Sequence, residues 1–117
     1  MVILESAAEH VAFEWGHLEW MASRAIGNST TMTFGRCYIA AGAANGWHYH
    51  PNCDEILHVI AGSIEHSLGD SLFAMTVGDT ISIPAGVVHN ARNIGDSEAV
   101  MTISFSSADR QSVAVEQ

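Results

Sequence analysis

Two histidines one residue apart, His48 and His50, precede Glu55 and are the first residues of the chain that could do metal chemistry. Side chains alternate faces along an extended strand, so both imidazoles point to the same side. Pro51 cannot donate a ladder hydrogen bond and should end that strand, after which the chain can turn and return as a second strand near Glu55. Imidazole and carboxylate ligands suit a divalent transition metal, and His89 from elsewhere in the chain would complete a mixed nitrogen and oxygen site.

A second stretch of turn residues surrounds that third histidine. Gly78 is a turn before a short strand, and Pro84 with Gly86 forms a tight corner. His89 begins the next strand, where Asn93 shares its face. A Pro-x-Gly-x-x-His pattern alone is weak evidence for a site.

The composition limits the classes of function. A chain of 117 residues is one domain of ordinary size, and we assign residues 1–117 to a single domain. Its net charge is −9, and its four cations are Arg24, Arg36, Arg92 and Arg110. Nucleic-acid binding needs a basic face, so we expect no nucleic-acid partner. We expect no membrane span either, because no apolar run approaches the roughly 20 residues that a bilayer requires. The N-terminus does not have the form of a signal peptide, so we expect a cytoplasmic protein.

Short β-forming segments separated by Gly, Pro or Asp run through the chain from Thr30. Segments of about four to eight residues at intervals of roughly 8–12 predict an all-β sandwich or barrel. The predicted strands cover residues 31–40, 47–50, 55–61, 63–68, 71–77, 80–83, 87–94 and 98–105. Residues 15–26 fit a helix or a strand, and their aromatic side chains favour the strand. Residues 1–12 indicate an arm or short strand, and residues from 106 onward a polar tail or edge.

Together the two stretches resemble the cupin family. The first family motif is Gly, five residues, His-x-His, three or four residues, Glu, six residues, Gly, which Gly42, His48, His50, Glu55 and Gly62 match. The second is Gly, five residues, Pro-x-Gly, two residues, His, three residues, Asn, which Gly78, Pro84, Gly86, His89 and Asn93 match. The motif core spans residues 42–93. The resemblance implies a single small cupin β-barrel of jelly-roll type that holds a metal inside one end.

The resemblance also implies the ligands, which are His48, His50, Glu55 and His89. Asp54 is a competing carboxylate, but Glu55 has the motif spacing and neighbouring strand residues face opposite ways. The set suits one divalent transition metal ion, and spacing does not choose among Fe, Mn, Ni, Zn, Co and Cu.

Three functions follow from such a site. Small cupins that this chain is similar to imply a dioxygenase or other oxidoreductase that acts on a small organic substrate. The alternatives are a non-redox lyase or isomerase acting on a small carboxylate or sugar acid, with the metal as Lewis acid, and a non-catalytic small-molecule-binding cupin. A lyase needs a base, for which Tyr38 is the candidate. Arg36 shares its strand face, and an inward Arg36 would indicate a substrate that carries a carboxylate. Whether that face is the inner one stays open. Leu57, Val59, Ile81 and Ile83 predict an apolar inner wall.

Large apolar groups collect near the N-terminus, at Phe13, Trp15 and Trp20. A strand of this kind should cover a sheet edge or pair with a second copy, so we expect a homodimer with residues 1–30 at its interface. We expect three histidines without a role in the motifs to lie on the surface, namely His10, His17 and His66.

Overall fold

The computed structural model describes residues 1–116 as eleven strands and one short 3-10 helix. The helix is Glu5–Ala7. The strands are β1 Glu9–Phe13, β2 Gly16–Ala22, β3 Thr33–Ile39, β4 His48–Tyr49, β5 Glu55–Ala61, β6 Ser63–Leu68, β7 Ser71–Thr76, β8 Thr80–Ile83, β9 His89–Asn93, β10 Ala99–Phe105 and β11 Val113–Ala114. The predicted all-β class and jelly-roll barrel are confirmed.

The strands form two antiparallel sheets. One has six strands in the order β1-β2-β3-β10-β5-β8, and the other has five in the order β11-β4-β9-β6-β7. Each sheet turns one face to the other, and the apolar residues of those faces form the core. Ile39 and Met101 from the larger sheet and Ile64 from the smaller one are fully buried there.

Glycines make two of the sharp corners that separate the predicted strands. Gly62, between β5 and β6, has φ +81°, a conformation that other residues rarely adopt. A Cβ at Gly62 would also lie 3.0 Å from the backbone of Ala99. At the β6–β7 hairpin, Gly69 has φ +58°. These corners fix the register of β5 and β6, whose bounds agree with the predicted segments.

The two ends of the chain show more order than their sequence indicated. Residues 15–26, which fitted a helix or a strand, contain β2, and the arm before them contains the edge strand β1. The polar tail pairs Val113–Ala114 with β4 and closes that edge of the smaller sheet. Among residues 1–116, no helix is long and apolar enough to cross a membrane.

Candidate metal centre

Strand pairing brings the predicted ligands to one end of the space between the sheets. His48 on β4 lies directly opposite His89 on β9, and His50 follows β4 as a buried residue. Glu55 begins β5 in the facing sheet and is 5% exposed. One ligand atom from each of the four side chains lies within 4.8 Å of the others. The structure therefore gathers all four predicted ligands, although they come from three strands and a turn.

Main-chain carbonyls orient all three imidazoles. The nitrogen-to-oxygen distances from Nδ1 are 2.7 Å from His48 to Gly46, 2.8 Å from His50 to Gln111 and 2.9 Å from His89 to Val87. A carbonyl can only accept, so each Nδ1 carries the proton and each Nε2 presents its lone pair. Metal-binding histidines are usually held by such a hydrogen bond on the other ring nitrogen.

The inward-facing atoms have no hydrogen-bond partner in the described chain. Glu55 Oε1 lies 3.2 Å from Nε2 of both His50 and His89, and these three buried atoms are unsatisfied. Buried polar atoms without partners are unfavourable. A cation bound between these three atoms would satisfy them all, so one divalent transition metal ion fits this set.

The protonation states suit metal binding. Burial lowers the pKa of His48 to about 4, helped by the charge on the neighbouring imidazoles, so this ring is neutral near pH 7. Burial raises the pKa of the Glu55 carboxyl, but interactions with His50 and His89 outweigh it and lower the pKa to about 2. The site therefore offers a neutral His48 imidazole and an ionised Glu55 carboxylate.

The four ligands face a small cavity of about 50 Å³. Its other lining residues are Leu18, Trp20, Cys37, Asn45, Leu57, His66, Ile103, Phe105 and Arg110. Most of these are apolar, as predicted. Of the four wall residues named from the sequence, however, only Leu57 lines the cavity, while Val59 and Ile83 are buried in the core. A space of this size admits a metal ion with a ligand of a few atoms.

The structure corrects the two catalytic candidates, Tyr38 and Arg36. Both lie on the outer face of β3, because the alternate residues Cys37 and Ile39 are the ones that point inward. The tyrosine ring stacks on His17, and the guanidinium lies 3.4 Å from the Tyr38 hydroxyl. Neither side chain lines the cavity, so neither can serve there as a base or hold a substrate.

His66 was expected on the surface, and this prediction is wrong. It is 1% exposed, lines the cavity, and stacks its ring 5.8 Å from that of His89. Burial lowers the pKa of His66 to about 4. The alternation of Ile64, His66 and Leu68 along β6 could have shown this, since both flanking residues are apolar.

Residues 106–115, here called the C-terminal strap, cross the open end of the barrel beside the site. Asp109 forms a bidentate ion pair with Arg24, at 2.8 and 3.0 Å. Asn52 donates to the Asp109 carbonyl at 2.8 Å and accepts from the backbone N–H of Gln111 at 3.0 Å. The strap therefore holds Arg110 between two tethered neighbours, and no sequence pattern indicated this placement.

Asp54 is excluded as a ligand by its own contacts. Its Oδ1 accepts a hydrogen bond from the backbone N–H of Ala85 at 2.9 Å, which ties the β4–β5 turn to the corner after β8. This arrangement supports the choice of Glu55 over Asp54.

Comparison with known proteins agrees with this geometry. The family model described as a cupin domain matches residues 35–105, which is more than half of the chain. The chain belongs to the cupin family. Among solved structures, this cupin superposes on the oxalate decarboxylase formate complex of Lactobacillus farciminis with a TM-score of 0.86. The two are 21% identical, and the match covers 94% of this chain and 34% of the other. The S161A oxalate decarboxylase of Bacillus subtilis gives a TM-score of 0.84 at 25% identity, covering 92% and 30%.

Curated relatives of this cupin include oxalate oxidase 1 of Hordeum vulgare, which is 32% identical over 97 residues. Polyketide synthase CurC of Streptomyces cyaneus is 29% identical over 91 residues. The matches cover 76% and 78% of this chain, but only 46% and 59% of those proteins. The cupin thus spans about half the length of these relatives.

Proposed function

We propose that this cupin is a manganese-dependent oxidoreductase that acts on a small carboxylate. The observation that carries the proposal is the set of three imidazoles and one carboxylate facing a cavity of only about 50 Å³. Such a cavity suits a substrate of oxalate size and disfavours large aromatic molecules. The names of the relatives support the substrate class, and the Mn(II) centres of the Bacillus subtilis oxalate decarboxylase support the choice of metal.

The residues of the chain have distinct parts in this function. Nε2 of His48, His50 and His89 and the Glu55 carboxylate would hold the ion. When bound, the ion supplies positive charge and open coordination positions for a chelating substrate. Glu55 cancels one of its two charges, which leaves a site that favours an anion. Trp20 and Phe105 line the cavity, and apolar walls of this kind strengthen electrostatic interactions by lowering the local dielectric constant.

Decarboxylation is the second candidate, and the close superposition on oxalate decarboxylases favours it. An oxidase converts oxalate, O₂ and two protons to two CO₂ and H₂O₂. A decarboxylase converts oxalate and one proton to formate and CO₂. Insertion of both oxygen atoms into a substrate, the dioxygenase reaction predicted from the sequence, would take up O₂ without releasing H₂O₂.

One assay separates these outcomes. Protein produced in manganese-supplemented medium is analysed for metal and incubated with oxalate, glyoxylate and malonate, while O₂, H₂O₂, CO₂ and formate are measured. Turnover that depends on manganese and is lost on chelation supports the proposal, and the products identify the reaction. A metal-loaded protein that binds these acids without converting them would instead be the non-catalytic binding cupin.

We also propose that the chain forms a homodimer through its N-terminal strands. β1 is an edge strand of the larger sheet, and most of its residues are exposed. Phe13 at its end is 45% exposed and stacks on Trp15. An edge strand beside exposed aromatic surface favours pairing with a second copy.

A further inference from the structure

Arg110 is the only cation that lines the metal cavity among the described residues. Its guanidinium carbon lies 4.4 Å from the ring centroid of Trp20 and 5.3 Å from that of Phe105. The chain brings it there from the C-terminal strap, which lies outside the residues 35–105 matched by the family model. This arginine is therefore an addition to the motif residues and not one of them.

The guanidinium is half-buried without an anionic partner. The other strap-linked cation, Arg24, has its carboxylate in Asp109, whereas Arg110 has no ion pair within residues 1–116. Aromatic faces stabilise a guanidinium, but they leave its five N–H donors unused. Burial lowers the pKa of Arg110, and the charge on Glu55 offsets this lowering only in part.

We infer that Arg110 binds the carboxylate of a substrate that enters the cavity beside the metal ligands. This inference rests on the proposed function for the identity of the cavity, and it adds the residue that selects an anion. A planar guanidinium matches a carboxylate with two parallel hydrogen bonds, and the rings of Trp20 and Phe105 lie beside the guanidinium of Arg110. Arg110 is thus a positioning and specificity residue supplied by the strap.

A second buried group on the cavity wall also lacks a partner. Nδ1 of His66, on β6 in the smaller sheet, has no hydrogen-bond partner in the described part of the chain. A small substrate with polar atoms at more than one position would meet the metal, Arg110 and this imidazole. An apolar ligand would leave the Arg110 guanidinium and the His66 imidazole without hydrogen-bond partners, which is unfavourable in a buried site.

The distribution of charge in the protein restricts the binding of anions to this cavity. The chain carries a net charge of −9, so its surface as a whole repels anions. Inside the cavity a divalent ion, the Glu55 carboxylate and the Arg110 guanidinium leave a clear positive excess. An anion is therefore attracted by this cavity and by little else on the protein, because exposed charges are screened over about 10 Å at ordinary ionic strength.

The test uses Co(II)-loaded protein, whose visible spectrum responds when a small molecule enters the metal site. Acetate is titrated as the anionic probe and acetamide as its neutral counterpart. Arg110→Gln is expected to raise the Kd for acetate about tenfold or more, since a hydrogen bond to a charged group contributes about 1.5–3 kcal/mol. The Kd for acetamide should not change. Arg110→Lys keeps the charge but lacks the forked guanidinium, so it should weaken acetate binding by less than Arg110→Gln does.

Arg92→Gln is the matched control, because Arg92 is exposed on β9 and does not line the cavity. It should leave both affinities unchanged. Circular dichroism and metal content show whether each variant is folded and loaded. An acetate Kd that changes less than twofold in Arg110→Gln, or an acetate affinity no higher than that for acetamide, overturns the inference and leaves Arg110 as a packing residue.

Two measurements distinguish a failure of the Arg110 inference from a failure of the proposed function. The titration is repeated on chelator-treated protein, with tryptophan fluorescence as the signal because Arg110 covers Trp20. Acetate binding that needs Arg110 in a chain without turnover supports the inference against the proposed function. Manganese-dependent turnover that Arg110→Gln does not impair supports the function against the inference.

Discussion

The backbone carbonyl of Gln111 accepts the Nδ1–H of His50 at 2.8 Å, although the two residues are 61 positions apart. One predicted metal ligand of the barrel is therefore oriented by the C-terminal strap. The family model ends at residue 105, so it contains the ligand but not the group that sets its direction. Metal affinity and the attachment of the strap should be coupled for this reason.

Asn52→Ala should weaken that attachment. The amide of Asn52 bonds to the backbone of Asp109 and of Gln111, on both sides of Arg110. Two lost hydrogen bonds of about 0.5–1.5 kcal/mol each should lower the free energy of unfolding by about 1–3 kcal/mol. Metal affinity should also fall, because the Gln111 carbonyl is no longer fixed against His50. Urea unfolding and competition for metal with a chromophoric chelator measure the two effects.

Asn28→Ala provides the matched control for the strap. Asn28 also makes two hydrogen bonds to backbone groups, donating to Met21 at 2.9 Å and accepting from Ser23 at 3.1 Å, but it does not line the cavity. We expect a similar loss of stability with unchanged metal affinity. Equal metal affinity in both variants would show that the strap does not orient the ligand.

Removing a single imidazole should abolish stable metal binding. His48→Ala and His89→Ala each delete one of four ligands, and the remaining three cannot fill the same coordination sphere. His58→Ala is the control, because His58 lies on the outer face of β5 and bonds to Thr80 at 2.8 Å. Elemental analysis after gel filtration should find near-stoichiometric metal in the control only. Metal retained equally by all three variants would place the ion elsewhere.

Stability of the metal-free protein should fall between about pH 6.5 and pH 4. His48 and His66 both have a pKa lowered to about 4 by burial, whereas an exposed histidine titrates near 6.5. In this window the unfolded chain binds protons that the folded chain does not, so acid favours unfolding. Each group adds a slope of at most about 1.4 kcal/mol per pH unit. Urea unfolding at several pH values measures it.

His66→Gln should flatten this pH dependence, since it removes one of the two groups. The comparison needs chelator-treated protein, because bound metal would add its own pH dependence. A free energy of unfolding that stays constant from pH 7 to pH 5 would mean that neither ring is held neutral by burial.

Asn93→Ala should destabilise the fold by about 2–4 kcal/mol without touching the metal. The Asn93 side chain is 1% exposed and donates to the carbonyls of Ile39 at 2.9 Å and Ser97 at 2.8 Å. Its Oδ1 accepts from the backbone N–H of Gly95 at 2.9 Å. Each buried group left unpaired costs about 1–3 kcal/mol, partly relieved by water. Denaturant unfolding measures the loss, and a change below about 1 kcal/mol would contradict this role.

The dimer prediction has a direct test. Multi-angle light scattering at micromolar concentration should give twice the mass of the 12.5 kDa chain. Phe13→Lys places a charge beside the edge strand β1 and should shift the mass towards that of the monomer. Ile94→Lys is the control, since Ile94 is also exposed, at 52%, but lies beyond β9 in the other sheet. A monomer in the unmutated protein contradicts the prediction.

Short-range signals were enough for most of the fold. Gly62 and Gly69 need conformations that few other residues adopt, so the limits of β5 and β6 could be placed from the sequence. Glu55 and His89 were identified as ligands through the resemblance of the two motifs to those of the cupin family, since the spacing around His89 is weak evidence by itself. Asn45, which lines the cavity, was missed, since a turn residue has no alternation to indicate its direction.

Long-range placement could not be predicted. Alternation groups Arg36 with Tyr38 but does not say which face of β3 is inside, since Phe34 on the same side is as apolar as Ile39 on the other. Arg110 lies in a polar tail, and only its tethered neighbours, such as Asp109 bonded to Arg24, bring it to the cavity. That contact joins residues 85 positions apart, beyond any local pattern.

All three imidazole directions are set by main-chain carbonyls, at positions 46, 87 and 111. Every residue type carries that carbonyl, so a substitution at these positions that keeps the backbone path keeps the acceptor. Substitutions at these positions should therefore change the orientation of the ligands only when they change the path of the backbone. The geometry of the candidate metal ligands would then tolerate point mutations at positions 46, 87 and 111 and be sensitive to insertions or deletions that shift the backbone there.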